Sequence, residues 1–543
     1  MKRLAACVVV FFFLVPIAFA QDAPPPPPKR EAPVAVLSVV VTDARGNHIP
    51  SLTKDDFQVA IGGAPLTVAK FAERGAEGVP TGELRRIAIV FDTTTLSAGA
   101  RRQTADSVRG FLASTLRPGD LCAVLSSGQS LRAMTGWTAD PKEIAMGLQQ
   151  MAVESSIPMS SPQAVIEKRI REIATDIQQA GKANHTFYTF DALIDAARAY
   201  AANAYRDSEQ TLSVMASSVS LFTPRTRNVL IVVGGGLSRT PGAGVFQYVE
   251  GIRNSAQRGQ LGTQLQSGAA ASSPMGEVSS YDLTPLFNSF GTRAWRRGVV
   301  FYAICPDISE DSGSRIDMQQ PGDRLAAFTN TAARFDGYHL LAEETGGVAF
   351  VGRSAADAFE RITADLNSFY SVGVRPTAPI SGMEAVSVKV NNGHRVRVTR
   401  GSASAGTPAD EMESRVIANH LLKASDNSLG ISLNAAAPVP DGERRLVMVD
   451  VMIPIHKLKL VSDGESLTGA FTVFIATGDS VGHSSNVTRQ TKEIRWPADA
   501  LARAGDKPLT FRVNVVLEPG RSQISVGVMD EKSKEKGFDR LSV

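Results

Sequence analysis

Arg86-Ile87-Ala88-Ile89-Val90-Phe91-Asp92 is the stretch whose reading decides the fold. Ile87 to Phe91 is a short unbroken apolar run, the pattern of a parallel strand buried on both faces, and Asp92 closes it with a carboxylate. Helical spacing follows at once in Ala105, Val108, Phe111 and Leu112. After the punctuation of Pro118-Gly119-Asp120 comes a second buried strand, Leu121 to Leu125, then a short edge strand within Leu131 to Trp137. Asp140-Pro141 is a helix start, with Asp as cap and Pro in the first turn, and turns Ile144, Leu148 and Met151 inward. Ile166, Ile170, Ile173 and Ile177 make an amphipathic helix, and Phe190, Leu193, Ile194 and Ala197 open another that runs on toward Leu221. Further strands are read at Val229 to Val233, Val299 to Ile304 and Val348 to Val351. Tyr338 to Thr345 is a helix stopped by Gly346-Gly347, and Phe359, Ile362, Leu366 and Phe369 form a last helical face. Strands alternating with helices predict an α/β fold, a Rossmann-like, doubly wound and mainly parallel sheet.

The 543 residues are too many for one core, and the pattern changes on both sides of this region. Residues 34–72 read as a small β unit, with Val34 to Thr42 and Phe57 to Ile61 as strands. The α/β domain is expected over 84–376, with insertions near 155–185 and 239–297. The second insertion is rich in Gly, Ser, Gln and Ala, a composition of loops or disorder. A β-hairpin extension over 380–400 is read around Asn391-Asn392-Gly393, then a linker from Ser402 to Pro408 and a helix from Val416 to Lys423. Across 409–543 the spacing of Gly430 to Leu433, Leu446 to Ile453, Gly469 to Ala476, Lys492 to Arg495, Leu509 to Leu517 and Ser522 to Met529 predicts an antiparallel β-sandwich.

The first residues carry an address. Lys2 and Arg3 precede an apolar run from Leu4 to Phe19, and Ala18-Phe19-Ala20 has the small residues read by a signal peptidase, so 1–20 is expected to be a cleaved signal peptide. The run is short for a membrane span, and no stable anchor is expected after cleavage. Leu4-Ala5-Ala6-Cys7 superficially fits a lipobox, but Cys7 opens the apolar run instead of closing it. Pro24 to Pro28 with Lys29 and Arg30 makes 21–33 a stiff Pro-rich linker. These features predict a secreted, periplasmic or outer-envelope protein of a bacterium. Net charge is +3 with no clustered basic stripe, which argues against nucleic acid as a partner. Cys122 and Cys305, each in an apolar strand, read as lone buried thiols rather than a disulfide framework.

From Val34 onward the chain resembles the von Willebrand factor A-related domain proteins common in Acidobacteria, which are exported. The residues that carry this are Val39-Val40-Val41-Thr42-Asp43 with Gly46, Leu52-Thr53-Lys54-Asp55-Asp56-Phe57, Ile89-Val90-Phe91-Asp92, Val229 to Val233, Leu341 to Gly347 and Asp365 to Tyr370. The resemblance implies a divalent cation above the first strand, held by an Asp-x-Ser-x-Ser loop, a threonine of a second loop and an aspartate after the fourth strand, with an open position for a partner's acidic residue. Only part of that pattern stands here. Asp92 and Thr94 match, Leu96 replaces the second hydroxyl, Thr189 or else Thr186 supplies the threonine, and Gly234-Gly235-Gly236 stands where the aspartate belongs. Asp92, Thr94 and Thr189 are therefore the candidate ligand-binding residues. No cofactor is expected, Mg²⁺ being only a weak possibility at these three positions, with Asp106 or Asp191 as conceivable compensation. Otherwise Asp92, Thr94 and Thr189 cap their loops locally.

Gly478-Asp479-Ser480-Val481-Gly482 matches G-x-S-x-G beside His483, but polar, extended residues follow where a nucleophile elbow needs a helix. No Gly-Lys-Ser/Thr follows Gly234 to Gly236, and the seven histidines are scattered. The expectation is a non-enzymatic, adhesion-type binding protein whose partner is a protein or envelope polymer, met on the loops Thr93 to Gly99, Ser126 to Ser130 and Gly234 to Gly244 at the carboxyl ends of the strands. The alternatives are a structural component of a cell-envelope assembly or a hydrolase with an unrecognised site.

Overall fold

The computed structural model describes residues 34–75, 84–128, 130–154, 161–179, 190–223, 226–258, 273–306, 333–376, 386–400, 408–422, 427–462, 464–479, 485, 487–497 and 508–543. The proposed signal peptide and Pro-rich linker lie outside them. Four strands open the fold: β1 (Ala35–Thr42), β2 (Phe57–Ile61), β3 (Ala64–Leu66) and β4 (Val68–Arg74). Next come β5 (Arg85–Asp92), α1 (Ala98–Thr115), β6 (Leu121–Ser127), β7 (Leu131–Ala133), α2 (Pro141–Val153), α3 (Ser161–Gln179), α4 (Phe190–Ser218) and β8 (Arg227–Val233). The domain continues with α5 (Ala243–Arg258), α6 (Thr284–Arg296), β9 (Val299–Cys305), α7 (Asp336–Thr345), β10 (Ala349–Val351) and α8 (Ala355–Asn367).

The α/β domain is doubly wound, as its alternating pattern predicts. Its six-stranded sheet has the order β10-β9-β8-β5-β6-β7, parallel except for the edge strand β7. One face packs α1, α2 and α8 through Val108, Leu148 and Phe359, and the other packs α4, α6 and α7 through Met215, Phe290 and Leu341. Because successive connections run outward in opposite directions from β5 and β8, the order reverses between these two central strands, which makes their carboxyl ends the topological switch point. Asp92 ends one of them and Gly234 follows the other.

The insertion expected over 239–297 needs correction. Its composition suggested loop, yet α6 buries Phe287, Phe290, Ala294 and Trp295 and is the crossover helix between β8 and β9. Four buried residues at helical spacing outweighed a polar average. Ahead of it, α5 joins α3 and α4 in a separate helical core built on Ile173, Leu193, Phe246 and Val249.

The N-terminal unit and the expected hairpin of 380–400 are one object. β11 (Phe369–Val374), β12 (Val386–Val390) and β13 (Arg395–Arg400) return to residues 34–74, giving sheets of order β13-β1-β11-β4 and β12-β2-β3. β12 and β13 therefore do not form the hairpin the Asn-Gly signal suggested. The turn between them carries the chain from one sheet to the other, and their apolar residues Val386, Val390 and Val398 close a shared core with Leu37, Val39, Phe57 and Tyr370. Phe369 likewise starts a strand instead of ending a helical face, since α8 stops at Asn367.

The expected helix at 416–423 starts earlier, as α9 (Pro408–Ala418), absorbing the end of the presumed linker. Among the described residues nine strands follow: β14 (Ser432–Ala435), β15 (Val439–Asp441), β16 (Arg444–Pro454), β17 (Val461–Ser462), β18 (Ser466–Gly478), β19 (Thr488–Pro497), β20 (Pro508–Leu517), β21 (Gln523–Asp530) and β22 (Lys536–Ser542). They form two antiparallel sheets whose alternating residues, among them Val449 and Val451 of β16 and Val473 and Ile475 of β18, meet in one core. α9 covers the outer face of β18, packing Met412 and Val416 on Phe474 and Phe538, while Ala418 and Leu422 enter the core of the α/β domain beside Val219 and Leu221. His420 is buried in this junction at 5% exposure, its ring against Gly478 and both nitrogens without a hydrogen-bond partner among the described residues. Residues 219–221 lead into the start of β8, so this docking lies at the amino ends of the parallel strands, away from Asp92.

A second buried feature stands at those amino ends. Arg85, 1% exposed, donates from Nε to Asp120 Oδ2 at 2.9 Å and from Nη2 to the same oxygen at 2.5 Å, and its backbone amide donates to Asp120 Oδ1 at 3.1 Å. Asp120 also accepts from the amide of Arg117 at 2.8 Å. What reads as mere punctuation in Pro118-Gly119-Asp120 therefore fastens two neighbouring strands.

Candidate functional site

Asp92 reaches the end of β5 fully buried. The turn behind it folds back: the Thr94 amide donates to Oδ1 at 3.0 Å, the Thr94 hydroxyl to Oδ1 at 2.5 Å and the Thr95 hydroxyl to Oδ2 at 2.7 Å. Burial raises the Asp92 pKa above the usual carboxylate range, and the bonds from Thr94 and Thr95 oppose that rise. Thr93 ties the same turn to β6, its amide donating to the Ser127 carbonyl at 2.9 Å. Leu96 is buried in the core cluster that also holds Leu112 and Phe359, so this position serves packing. Ser97 then caps α1, accepting from the Ala100 amide at 3.1 Å.

Beside Asp92 and Thr95, Gly234-Gly235-Gly236 is shaped by its neighbours. A Cβ at Gly234 would lie 2.6 Å from the Tyr338 hydroxyl and 3.5 Å from Asp92 Oδ2; one at Gly235 would lie 2.8 Å from Arg334 Nη2. Gly236 has φ +110° and no room beside the Arg334 backbone, so only glycine suits it. The Gly235 amide donates to the Thr95 hydroxyl at 2.7 Å, joining the two central strands. Tyr338, on α7, is fully buried, and its hydroxyl has no partner among the described residues. Burial, and next the nearby Asp92 charge, push its pKa well above that of a free phenol. Cys305, ending β9 beside this cluster, is pushed up to about 12 by burial, which leaves it a neutral thiol.

Of the residues singled out from the sequence, Asp92 and Thr94 are brought together. Thr186 and Thr189 lie outside the described residues. Asp106 sits on the exposed side of α1 paired with Arg109, and Asp191 is exposed in the first turn of α4. Thr95, Arg334 and Tyr338 were missed. Thr95 was hidden because the resemblance directs attention to alternate positions, and the other two because they come from a segment remote in sequence. Ser480 and His483 also lie outside the described residues; β18 before them pairs antiparallel with β19 after them, the arrangement of a hairpin.

The divalent cation implied by the resemblance does not fit these residues. Hard cations need several oxygen acceptors, and here one carboxylate, Asp92, already accepts from the Thr94 and Thr95 hydroxyls. Arg334 and Tyr338, which border the glycine run, present donors instead.

No family model and no curated protein matches the chain. Among solved structures it is similar to a von Willebrand factor type A protein from Catenulispora acidiphila, at 9% identity over 95% of this chain and 74% of that one, TM-score 0.22. It is similar to the three N-terminal domains of the type V pili tip protein Mfa5 from Porphyromonas gingivalis, at 9% identity over 94% and 78%, TM-score 0.23. An aerotolerance-related membrane protein from Bacteroides fragilis NCTC 9343, with multiple mutations to serines, is 12% identical over 52% of this chain and 98% of its own, TM-score 0.22. At these scores the likenesses carry no functional weight, and the doubly wound fold stands on the strand order itself. Among the described residues, no helix is long and apolar enough to cross a membrane.

Proposed function

We propose that this chain is an exported, non-enzymatic binding protein of the von Willebrand factor A-like kind, whose partner docks on the rim at the carboxyl ends of the parallel strands without a bound divalent ion. The observation that carries this reading is the switch point between β5 and β8: its carboxylate is engaged by its own loop, and the expected aspartate has given way to three glycines. Docking of the sandwich at the opposite ends of the strands supports it, because the α9 junction lies away from this rim. Export rests on the sequence of residues 1–20, and the partner is a protein or envelope polymer.

Capture from the envelope fraction tests the site. Ala98→Arg and Gly99→Arg, both at exposed positions beside the rim, are expected to weaken capture at least about tenfold, while Met448→Arg and Val516→Arg on the exposed sandwich face leave it unchanged. The reverse pattern would move the site to the sandwich. EDTA is expected to shift the melting temperature by no more than about 1 °C, because a chelator removes only stabilisation that a bound ion supplied. A marked drop restored by Mg²⁺ would establish a native metal site.

A further inference from the structure

We propose that the outer edge of β20 pairs with β20 of a second copy of this chain, antiparallel about a twofold axis through Val513, so that two sandwiches share one continuous sheet. This surface is separate from the rim, and the pairing stands whether or not a partner docks there. β20 is ten residues long and pairs with β16 from Pro508 to Leu517 without a bulge, while among the described residues no strand takes its other side. An open edge of that length is a template for another strand unless the sequence blunts it. The other edges of the sandwich are blunted. On the far side of β16, β14 and β15 are only four and three residues long. β19 carries Arg489, Lys492, Glu493 and Arg495, and β22 carries Lys536, Asp539 and Arg540. Lys492 guards β19 by turning inward, its Nζ 5.1 Å from the Phe511 ring centroid. β20 has a single charge, Arg512, and Asp450 of β16 neutralises it, accepting from Nε at 2.6 Å and from Nη2 at 2.8 Å.

The pattern of the strand selects its partner. Leu509, Phe511, Val513, Val515 and Leu517 belong to the sandwich core, and Thr510, Arg512, Asn514 and Val516 alternate with them, exposed on the outer face. Like faces must oppose like faces, because a one-residue slip would set core residues against solvent-facing ones. A twofold antiparallel pair meets that condition only when its axis passes through a residue, and Arg512 and Val513 are the two centres that use nearly the whole strand. Centring on Arg512 opposes two guanidinium groups, which repel. Centring on Val513 sets Arg512 opposite Asn514 of the second copy, twice, and the Nη1 that Asp450 does not take donates to the Asn514 side-chain oxygen. Phe511 then opposes Val515 and Leu509 opposes Leu517, which extends the core. Thr510 opposes Val516, the residue at which the outer cross-strand row of Val439, Leu446 and Val516 reaches the edge. A foreign strand would need the same alternation and an uncharged acceptor at the same place, and β20 itself supplies both.

Sedimentation equilibrium of the full mature chain is expected to show a reversible monomer–dimer equilibrium within about 1–100 μM. Asn514→Lys, at an exposed position, sets an ammonium opposite Arg512 of the second copy and is expected to weaken the dimer at least about tenfold, with the melting temperature of the dilute chain unchanged. Asn514→Asp is expected to tighten it about threefold or more by placing a carboxylate there. Ser432→Lys adds the same charge at the far edge of the sheet and is expected to change nothing. Cross-linking reads the register. Under mild oxidation an equal mixture of Arg512→Cys and Asn514→Cys chains is expected to form a disulfide between the two different chains, since directly opposed residues have Cα atoms about 4.5–5.5 Å apart, within reach of that bond. Asn514→Cys alone is expected to stay unlinked. A chain still monomeric at about 100 μM would overturn the pairing and leave β20 to an extended segment of a different protein. A dimer indifferent to Asn514→Lys, or one in which Asn514→Cys links to itself and the mixed pair does not form, would overturn it as well.

Discussion

Asp120→Ala is expected to destabilise the α/β domain by about 3–5 kcal/mol, the usual cost of removing one partner from a buried ion pair. The pair is enclosed: Arg85 and Asp120 are 1% and 2% exposed, so no water replaces the lost carboxylate. Arg85 would keep the Thr115 carbonyl as acceptor for Nη2, and three donors that now converge on Asp120, including the amides of Arg85 and Arg117, would be stranded. Urea unfolding followed by tryptophan fluorescence should show the midpoint falling sharply. A second variant shows why: Arg85→Met with Asp120→Ala removes the stranded charge and is expected to recover a large part of the loss. A single variant as stable as the wild type would mean that the pair is solvated and its geometry unimportant.

Acid should loosen the junction between the α/β domain and the sandwich. Burial, with Arg540 and then Arg521 nearby, lowers the His420 pKa to about 4, and Asp479 opposes this only in part. The unfolded chain protonates this residue near its ordinary 6.5, so above that pH both states are neutral and stability is complete. As pH falls from about 6.5 to about 4, the unfolded state takes up a proton that the folded state refuses, and the fold loses about 3 kcal/mol at 1.36 kcal/mol per pKa unit. His420→Leu has no such proton to bind. Its stability, measured by urea unfolding at pH 7 and pH 4.5, is expected to fall much less than that of the wild type. Parallel losses in both proteins would place the acid sensitivity elsewhere.

Local signals made the α/β domain legible from the sequence. Strands such as Ile87 to Phe91 declare themselves by unbroken apolar runs, and α2 by its Asp140-Pro141 start, which the structure realises with the Asp140 side chain accepting from the Lys142 amide at 2.9 Å. Composition misled where a few large residues did the packing, as at Phe287, Phe290 and Trp295 of α6. The pairing of β12 and β13 was misread because an Asn-Gly turn specifies a tight reversal and says nothing about which strand each arm will join. At the site, Asp92 and Thr94 lie within a recognisable loop. Arg334 and Tyr338 are brought to it by the return of α7 to the sheet, and three consecutive glycines were the available clue: each lacks a side chain where a neighbour from afar needs the space.

The place of β1 between β11 and β13 has a consequence for how the molecule comes into being. Its neighbours in the sheet are supplied only after the whole α/β domain has been made, and the Tyr370 hydroxyl donates to the Ile49 carbonyl across 321 positions of chain. A ribosome would therefore release the apolar residues Leu37, Val39 and Val41 long before anything can cover them. Closing so long a loop costs little more entropy than closing a short one, but it delays the step until the intervening domain has folded and brought the ends together. The first strand made is thus among the last to be seated, and a chain cut short anywhere before Phe369 leaves a sticky edge exposed at its own beginning.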